Sequence, residues 1–220
     1  AIANYAEDVA GLSREEYEQL LEQAKSYNVR LSAMGSNWKL SQEELDQYNE
    51  ILNINKNGMM GYIEIPKIQC SLPIYHSTDE AVLQKNVGHL PGSSLPVGGE
   101  STHSVLSGHR GLPSAKLFSD LDKVETGDKF VIRVLNETLT YEVDQILIVL
   151  PNEMDALNIE EGKDLCTLVT CTPYGVNSHR LLVRGHRVEN DATTENVKVV
   201  ADAMQIEPVI VAPVSYTHLT

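Results

Sequence analysis

From Gly61 onward the chain breaks into seven short runs that read as β-strands: GYIEIP, IQCSLPIY, STHSVLSGH, KFVIRVLN, ETLTYEVDQILIVL, LCTLVTC and RLLVRGHRV. Gly and Pro punctuate them at short intervals, which favours an antiparallel or mixed barrel over a parallel α/β sheet. The expected class is therefore mainly β. Two stretches, 79–85 and 114–124, read as helical interruptions. The chain before about Lys56 has a different period. Leu12, Tyr17, Leu20, Leu21 and Ala24 recur at helical spacing behind a Ser13/Glu16 capping box, and Ser41/Glu44 opens a second helix reaching Ile51. The loop between them carries Trp38, the one tryptophan. This texture divides the chain into a helical arm (1–58), a barrel (59–190) and a C-terminal helix or tail (191–220).

Charge and cysteine usage narrow the function. Apolar residues make up 42% and charged residues 22%, so a globular core is expected. With 17 Lys and Arg against 31 Asp and Glu, the formal charge is −14. No basic cluster stands against that field, and a nucleic-acid surface needs the opposite sign. No nucleic-acid partner is expected. The longest pure apolar run, Ile146 to Leu150, is far short of the ~18 residues of a membrane span. Cys166 and Cys171 sit an odd number of residues apart in one strand, on opposite faces and roughly 16 Å apart along its axis. They are not expected to bond, and Cys70 has no partner in the pattern.

Several general site motifs are absent: GxSxG, GxxxxGK[ST], HExxH and CxxC. Ser36 to Lys39 matches SxxK without the companion motifs. The histidines are scattered without metal-ligand spacing, so neither a metal nor a cofactor is expected. Asn136–Glu137–Thr138 is a formal sequon, but it falls at a hairpin turn where Asn is expected for backbone reasons.

Cys171 is the residue that carries chemistry. It ends an apolar strand and precedes Thr172–Pro173–Tyr174–Gly175, a loop signature. A free cysteine is more often a buried structural thiol, and on position alone that reading competes. Arg180 opens the next strand. If the two strands pair antiparallel, Arg180 faces Cys171 at the hairpin mouth, a fixed cation suited to an oxyanion or thiolate. His109 closes another strand and can supply the proton shuttle of thiol acyl transfer. His179 is a rival imidazole. As the strand neighbour of Arg180 it points to the other face, so both cannot reach Cys171.

Thr167–Leu168–Val169–Thr170–Cys171 resembles the TLxTC signature of sortases. Ser107 to Gly111 resembles their histidine segment, and His179 to Val183 their arginine strand. Three blocks in order between Gly61 and Val188 are far more specific than any one. TCTPYGVNSHRLLVRG and the helical arm resemble the class C, pilus-building branch. The resemblance implies an eight-stranded sortase barrel, with Cys171 as nucleophile, His109 as acid/base and Arg180 as oxyanion and substrate clamp. It further implies cleavage of an LPxTG-like sorting signal between Thr and Gly, a thioester, and transfer to a pilin lysine. A membrane anchor at the outer face of a bacterial cell is implied as well. Transfer to peptidoglycan is the nearest alternative, and an idle barrel used for binding is the alternative from another class.

Class C sortases carry a lid, usually Asp-Pro followed by an aromatic. The comparable segment here, near 34–39, is Ser36–Asn37–Trp38, which keeps the aromatic and lacks the acid. The expectation is a lid over the cleft with Trp38 near His109 and Cys171. The competing reading makes Trp38 a packing anchor for the arm.

Overall fold

A computed structural model describes residues 1–113 and 115–192. Helix α1 (Ile2–Ala10) and helix α2 (Arg14–Met34) lead into α3 (Gln42–Glu50). Both anticipated capping boxes form: Ser13 accepts from the Glu16 amide and Ser41 from the Glu44 amide, each with the reciprocal glutamate bond. These bonds satisfy amides that the first helical turn would otherwise leave open. The strands are β1 (Met59–Ile65), β2 (Cys70–His76), β3 (Val87–His89), β4 (Thr102–Ser107), β5 (Lys129–Val134), β6 (Glu137–Val149), β7 (Asp164–Thr172) and β8 (His179–Val188). Helix α4 (Glu80–Leu83) lies between β2 and β3.

The eight strands close into a barrel in the order β1-β2-β3-β4-β7-β8-β6-β5. It is mixed: β2 with β3 and β4 with β7 run parallel, and the other neighbours antiparallel. Closure removes the exposed edges that an open sheet would leave. Fully buried Ile63, Phe130, Cys166, Leu168 and Val183 fill the interior.

The arm belongs to the same core. Tyr5, Val9, Ala24 and Tyr48 pack with the barrel residues. Buried polar groups then fix the seat. The Tyr5 hydroxyl donates to the Met60 carbonyl and accepts from the Leu135 amide, and burial pushes its pKa up to about 12. The Asn28 side chain donates to the Leu95 carbonyl at 3.0 Å and accepts from its amide at 2.7 Å. Tyr48 stacks on His89 and lies 2.8 Å from its Nδ1, where burial pushes the imidazole down to about 3. Losing one such partner strands the other in a dry interior, so these bonds fix orientation strongly.

Three features depart from expectation. Helix α1 lies in the arm expected to be helical but had no boundaries of its own, and the three-residue β3 had no assignment. The stretch 114–124 is not a helix; among its described residues the helical portion is one 3₁₀ turn, Leu121–Lys123. Leu117, Phe118, Leu121 and Val124 have helical spacing because each is buried. The intervening backbone is irregular, with Leu117 at φ 40°. The C-terminal helix or tail expected at 191–220 lies, from 193 on, outside the described residues.

Candidate active site

The site is built on the outer face of the barrel where β7 ends and β8 begins. Strand parity sends Cys166 and Leu168 inward, into the core. Val169 and Cys171 take the other face. On β8, Leu181 and Val183 point inward and Arg180 and Leu182 outward. Register pairs Cys171 directly with Arg180. Directly opposed residues carry side chains about 5 Å apart at Cβ. The hairpin is one rung longer than expected, since Thr172 pairs with His179 and leaves 173–178 as the loop. His179 therefore takes the other face from Arg180, with its ring 2.9 Å from the Ser178 hydroxyl.

His109 reaches the same level from β4. The parallel ladder pairs Ser107 with Val169, and the Gly108 amide continues it by donating to the Val169 carbonyl. Thr170 then donates its hydroxyl to the Gly108 carbonyl at 2.8 Å. Two residues past Ser107, His109 stands level with Cys171. Phe118 packs under this turn. A Cβ on Gly108 would fall 2.6 Å from its ring, so glycine is needed there for close approach. The Phe118 amide also donates to the His109 carbonyl at 3.1 Å.

Arg180 and its neighbours set the charge. Its guanidinium donates to the Asn177 and His179 carbonyls at 3.3 and 3.1 Å, and among the described residues it makes no ion pair with a carboxylate. A cation held only by carbonyls keeps its charge uncompensated at the site. Arg110, nearly buried, is occupied elsewhere. It pairs with Asp122 at 2.9 Å, lies over the Tyr174 ring and reaches the Thr172 hydroxyl. It thus ties the histidine turn to the β7–β8 loop. Glu80 of α4 accepts from His109 Nε2 at 3.0 Å. Sequence reasoning missed both contacts. Arg110 sits in the histidine block, but Glu80 is 29 residues away and only barrel closure brings it there.

The other two thiols are poor nucleophiles. Burial pushes Cys70 up to about 12 and Cys166 well above the ordinary thiol range. All three cysteines are free. No cluster of metal-ligating side chains occurs among the described residues.

The segment 36–38 lies against the outer wall beside the Cys171–Arg180 pair. Val105, Leu157 and Leu182 form a small apolar cluster there, and Trp38 packs on it together with Leu90 and Val169. Val169 and Leu182 are the outward positions next to Cys171 and Arg180 along their strands. The Asn37 carbonyl sits over Gly92, where a Cβ would fall 2.1 Å from it. Asn37 Oδ1 accepts from the Lys39 amide, and Ser36 Oγ accepts from the Ile159 amide at 3.3 Å. Ser36 is thus turned toward the β6–β7 connection, not toward Arg180.

The closed, mixed eight-stranded barrel is the fold of the sortase class. Residues 63–188 match the sortase domain model, and the chain belongs to the sortase family, whose members are cysteine transpeptidases of the bacterial surface. Sortase D of Bacillus subtilis (strain 168) is 34% identical over 131 residues, 58% of this chain and 63% of that protein. The chain spans less than two thirds of the length of that relative. Sortase C1 from Streptococcus agalactiae superposes with a TM-score of 0.85 at 56% identity, covering 86% of this chain and 98% of that one. Sortase C-1 from Actinomyces oris gives 0.74 at 46% identity, over 79% and 99%. Structural relatives of the class C type are thus prominent. No helix among the described residues is long and apolar enough to cross a membrane.

Proposed function

We propose that this chain is a cysteine transpeptidase that joins sorting-signal peptides to a pilin lysine, polymerising pilus subunits. The observation that carries this reading is the opposed Cys171–Arg180 pair, with His109 at the same level, on an outer face that a peptide can approach. Likeness to class C sortases supports the pilus role over peptidoglycan attachment.

In this reading Cys171 attacks the Thr carbonyl of an LPxTG-like signal. Arg180 stabilises the oxyanion, having no carboxylate to release first. His109 gives its proton to the departing glycine amine as the C–N bond breaks, leaving a thioester on Cys171. The incoming lysine amine attacks that thioester, loses a proton to His109, and the C–S bond breaks. One amide exchange becomes two acyl transfers of lower barrier. The apolar wall of Val105, Leu182 and Val169 suits the Leu-Pro part of such a signal once residues 36–38 have moved off it. Ser36 to Trp38 act as a lid in this scheme.

The deciding experiment incubates the protein with an LPxTG peptide and examines Cys171 by mass spectrometry. An acyl adduct on Cys171, released by a lysine-bearing pilin fragment, is the expected result. A native protein in which Cys171 takes up neither peptide nor a thiol-directed sulfonate would be a binding barrel instead.

A further inference from the structure

His109 is held from a direction that its own strand does not supply. Glu80 opens α4, on the connection from β2 to β3, and its two carboxylate oxygens lie 3.0 and 3.2 Å from His109 Nε2. A carboxylate can only accept, so the proton in this contact resides on Nε2. Among the described residues no other side chain or carbonyl bonds this ring. The neutral imidazole then carries its single proton on Nε2 and a lone pair on Nδ1. Arg110 does not compete for Glu80, being paired with Asp122.

We propose that Glu80 is a positioning residue of the acyl transfer, fixing the Nε2–H tautomer of His109 so that Nδ1 exchanges the proton. This rests on His109 being the acid/base. The Cys171 proton passes to Nδ1 as sulfur bonds the carbonyl carbon, and Nδ1 returns it to the glycine amine as the C–N bond breaks. In the second half the lysine amine gives Nδ1 a proton as its nitrogen bonds the thioester carbon. That proton then goes to the Cys171 sulfur as the C–S bond breaks, restoring the thiol. Through both halves Nε2–H stays on Glu80, so the ring need not turn. When Nδ1 carries the second proton, the imidazolium faces a carboxylate already in place. The glutamate side chain is 66% exposed and that of His109 24%, so the expected effect is moderate.

The test combines transpeptidation of a fluorogenic sorting-signal peptide with ¹⁵N spectra of the histidine rings. Glu80→Ala is expected to lower kcat about two- to fivefold, with KM and melting temperature unchanged, the scale of a largely exposed ion pair. Glu80→Gln should recover most of the rate, because its amide oxygen accepts from the same Nε2–H. The His109 spectrum should show the Nε2–H tautomer in the parent and in Glu80→Gln, and a mixture in Glu80→Ala. A Glu80→Ala variant with the parent's rate, or with the parent's tautomer spectrum, overturns the proposal. His109→Ala separates the two levels. If it turns over normally, the acid/base assignment itself fails; if it is dead beside an unaffected Glu80→Ala, only the role of Glu80 fails.

Discussion

Cys166 and Cys171 lie on the same strand, yet one is sealed in the core and the other, the nucleophile of the proposed reading, is partly exposed. Cys166 faces the interior, fully buried among Leu168, Phe130 and Val183, with its thiolate strongly disfavoured by desolvation. Cys171 faces outward opposite Arg180, partly exposed, at a strand end that neighbouring loops surround. A shift of register by one residue would exchange their fates. Reactivity here follows from face and position along the strand; residue type alone says nothing. The same division runs through the barrel: an inner face filled to hold the fold, and an outer wall on which Trp38 packs against Val105 and Leu182.

The contrast is broken most severely on the outer face. Cys171→Ala should abolish the peptide adduct, and Arg180→Ala should slow its formation about 10²-fold or more, the scale for losing an oxyanion donor. His109→Ala should be nearly inactive, whereas His179→Ala, pointing to the other face, should keep substantial activity. A dead His179→Ala with an active His109→Ala would reassign the proton shuttle. Circular dichroism should be unchanged in all four, since none of these side chains is fully buried.

A second experiment tests the faces directly. In the native protein a charged methanethiosulfonate should modify Cys171 and leave Cys166 untouched over times at least a hundredfold longer, because Cys166 is reached only through unfolding. Labelling of both in urea should become equal. Equal native labelling would mean that the interior opens far more readily than its packing implies.

How much of this was legible beforehand follows the same division. The seven strand runs and both capping boxes are local signals, so Ser13, Ser41 and the alternation around Cys171 could be read directly. The pairing of Cys171 with Arg180 needed only the assumption that consecutive strands form a hairpin. Strand β3 is three residues long and carries too little pattern to register. The stretch from 114 to 124 misled because Phe118, Leu121 and Val124 repeat at helical spacing while covering the core as an irregular segment. Glu80 was invisible for a topological reason. Its contact with His109 depends on β3 lying between β2 and β4, and no local signal encodes that neighbourhood.

The outer cover sharpens the comparison at smaller scale. Trp38 is half-buried on the Val105–Leu182 cluster, and burying much of an indole stabilises by roughly 1.5–3 kcal/mol. Trp38→Ala should therefore speed Cys171 modification by about ten- to a hundredfold, with the melting temperature little changed. Gly92→Ala attacks the same seat from the barrel side, since its methyl group would displace the Asn37 carbonyl. It should also speed modification. A Trp38→Ala variant with unchanged thiol reactivity and a large fall in melting temperature would make Trp38 an anchor of the helical arm and leave access to Cys171 uncontrolled by this segment.

The smallest effect expected is at Ser36, the uncharged first residue of this segment. An acid near Arg180 would latch a lid by charge, and such a latch weakens with salt. Ser36 has no charge and is turned to the Ile159 amide, so its contribution is one neutral hydrogen bond of 3.3 Å to the β6–β7 connection. A bond of that kind is worth ~0.5–1.5 kcal/mol, which sets the effect of Ser36→Ala at about two- to tenfold faster Cys171 modification. Because no ion pair is involved, the ratio between Ser36→Ala and the parent should stay constant from low to high salt. Ser36→Asp supplies the control. Its carboxylate would still accept from the Ile159 amide, and any additional slowing that fades with salt would measure how near the segment lies to Arg180. A salt-dependent ratio for Ser36→Ala itself would show that a charged group elsewhere, outside the neutral contacts of 36–38, holds this cover closed.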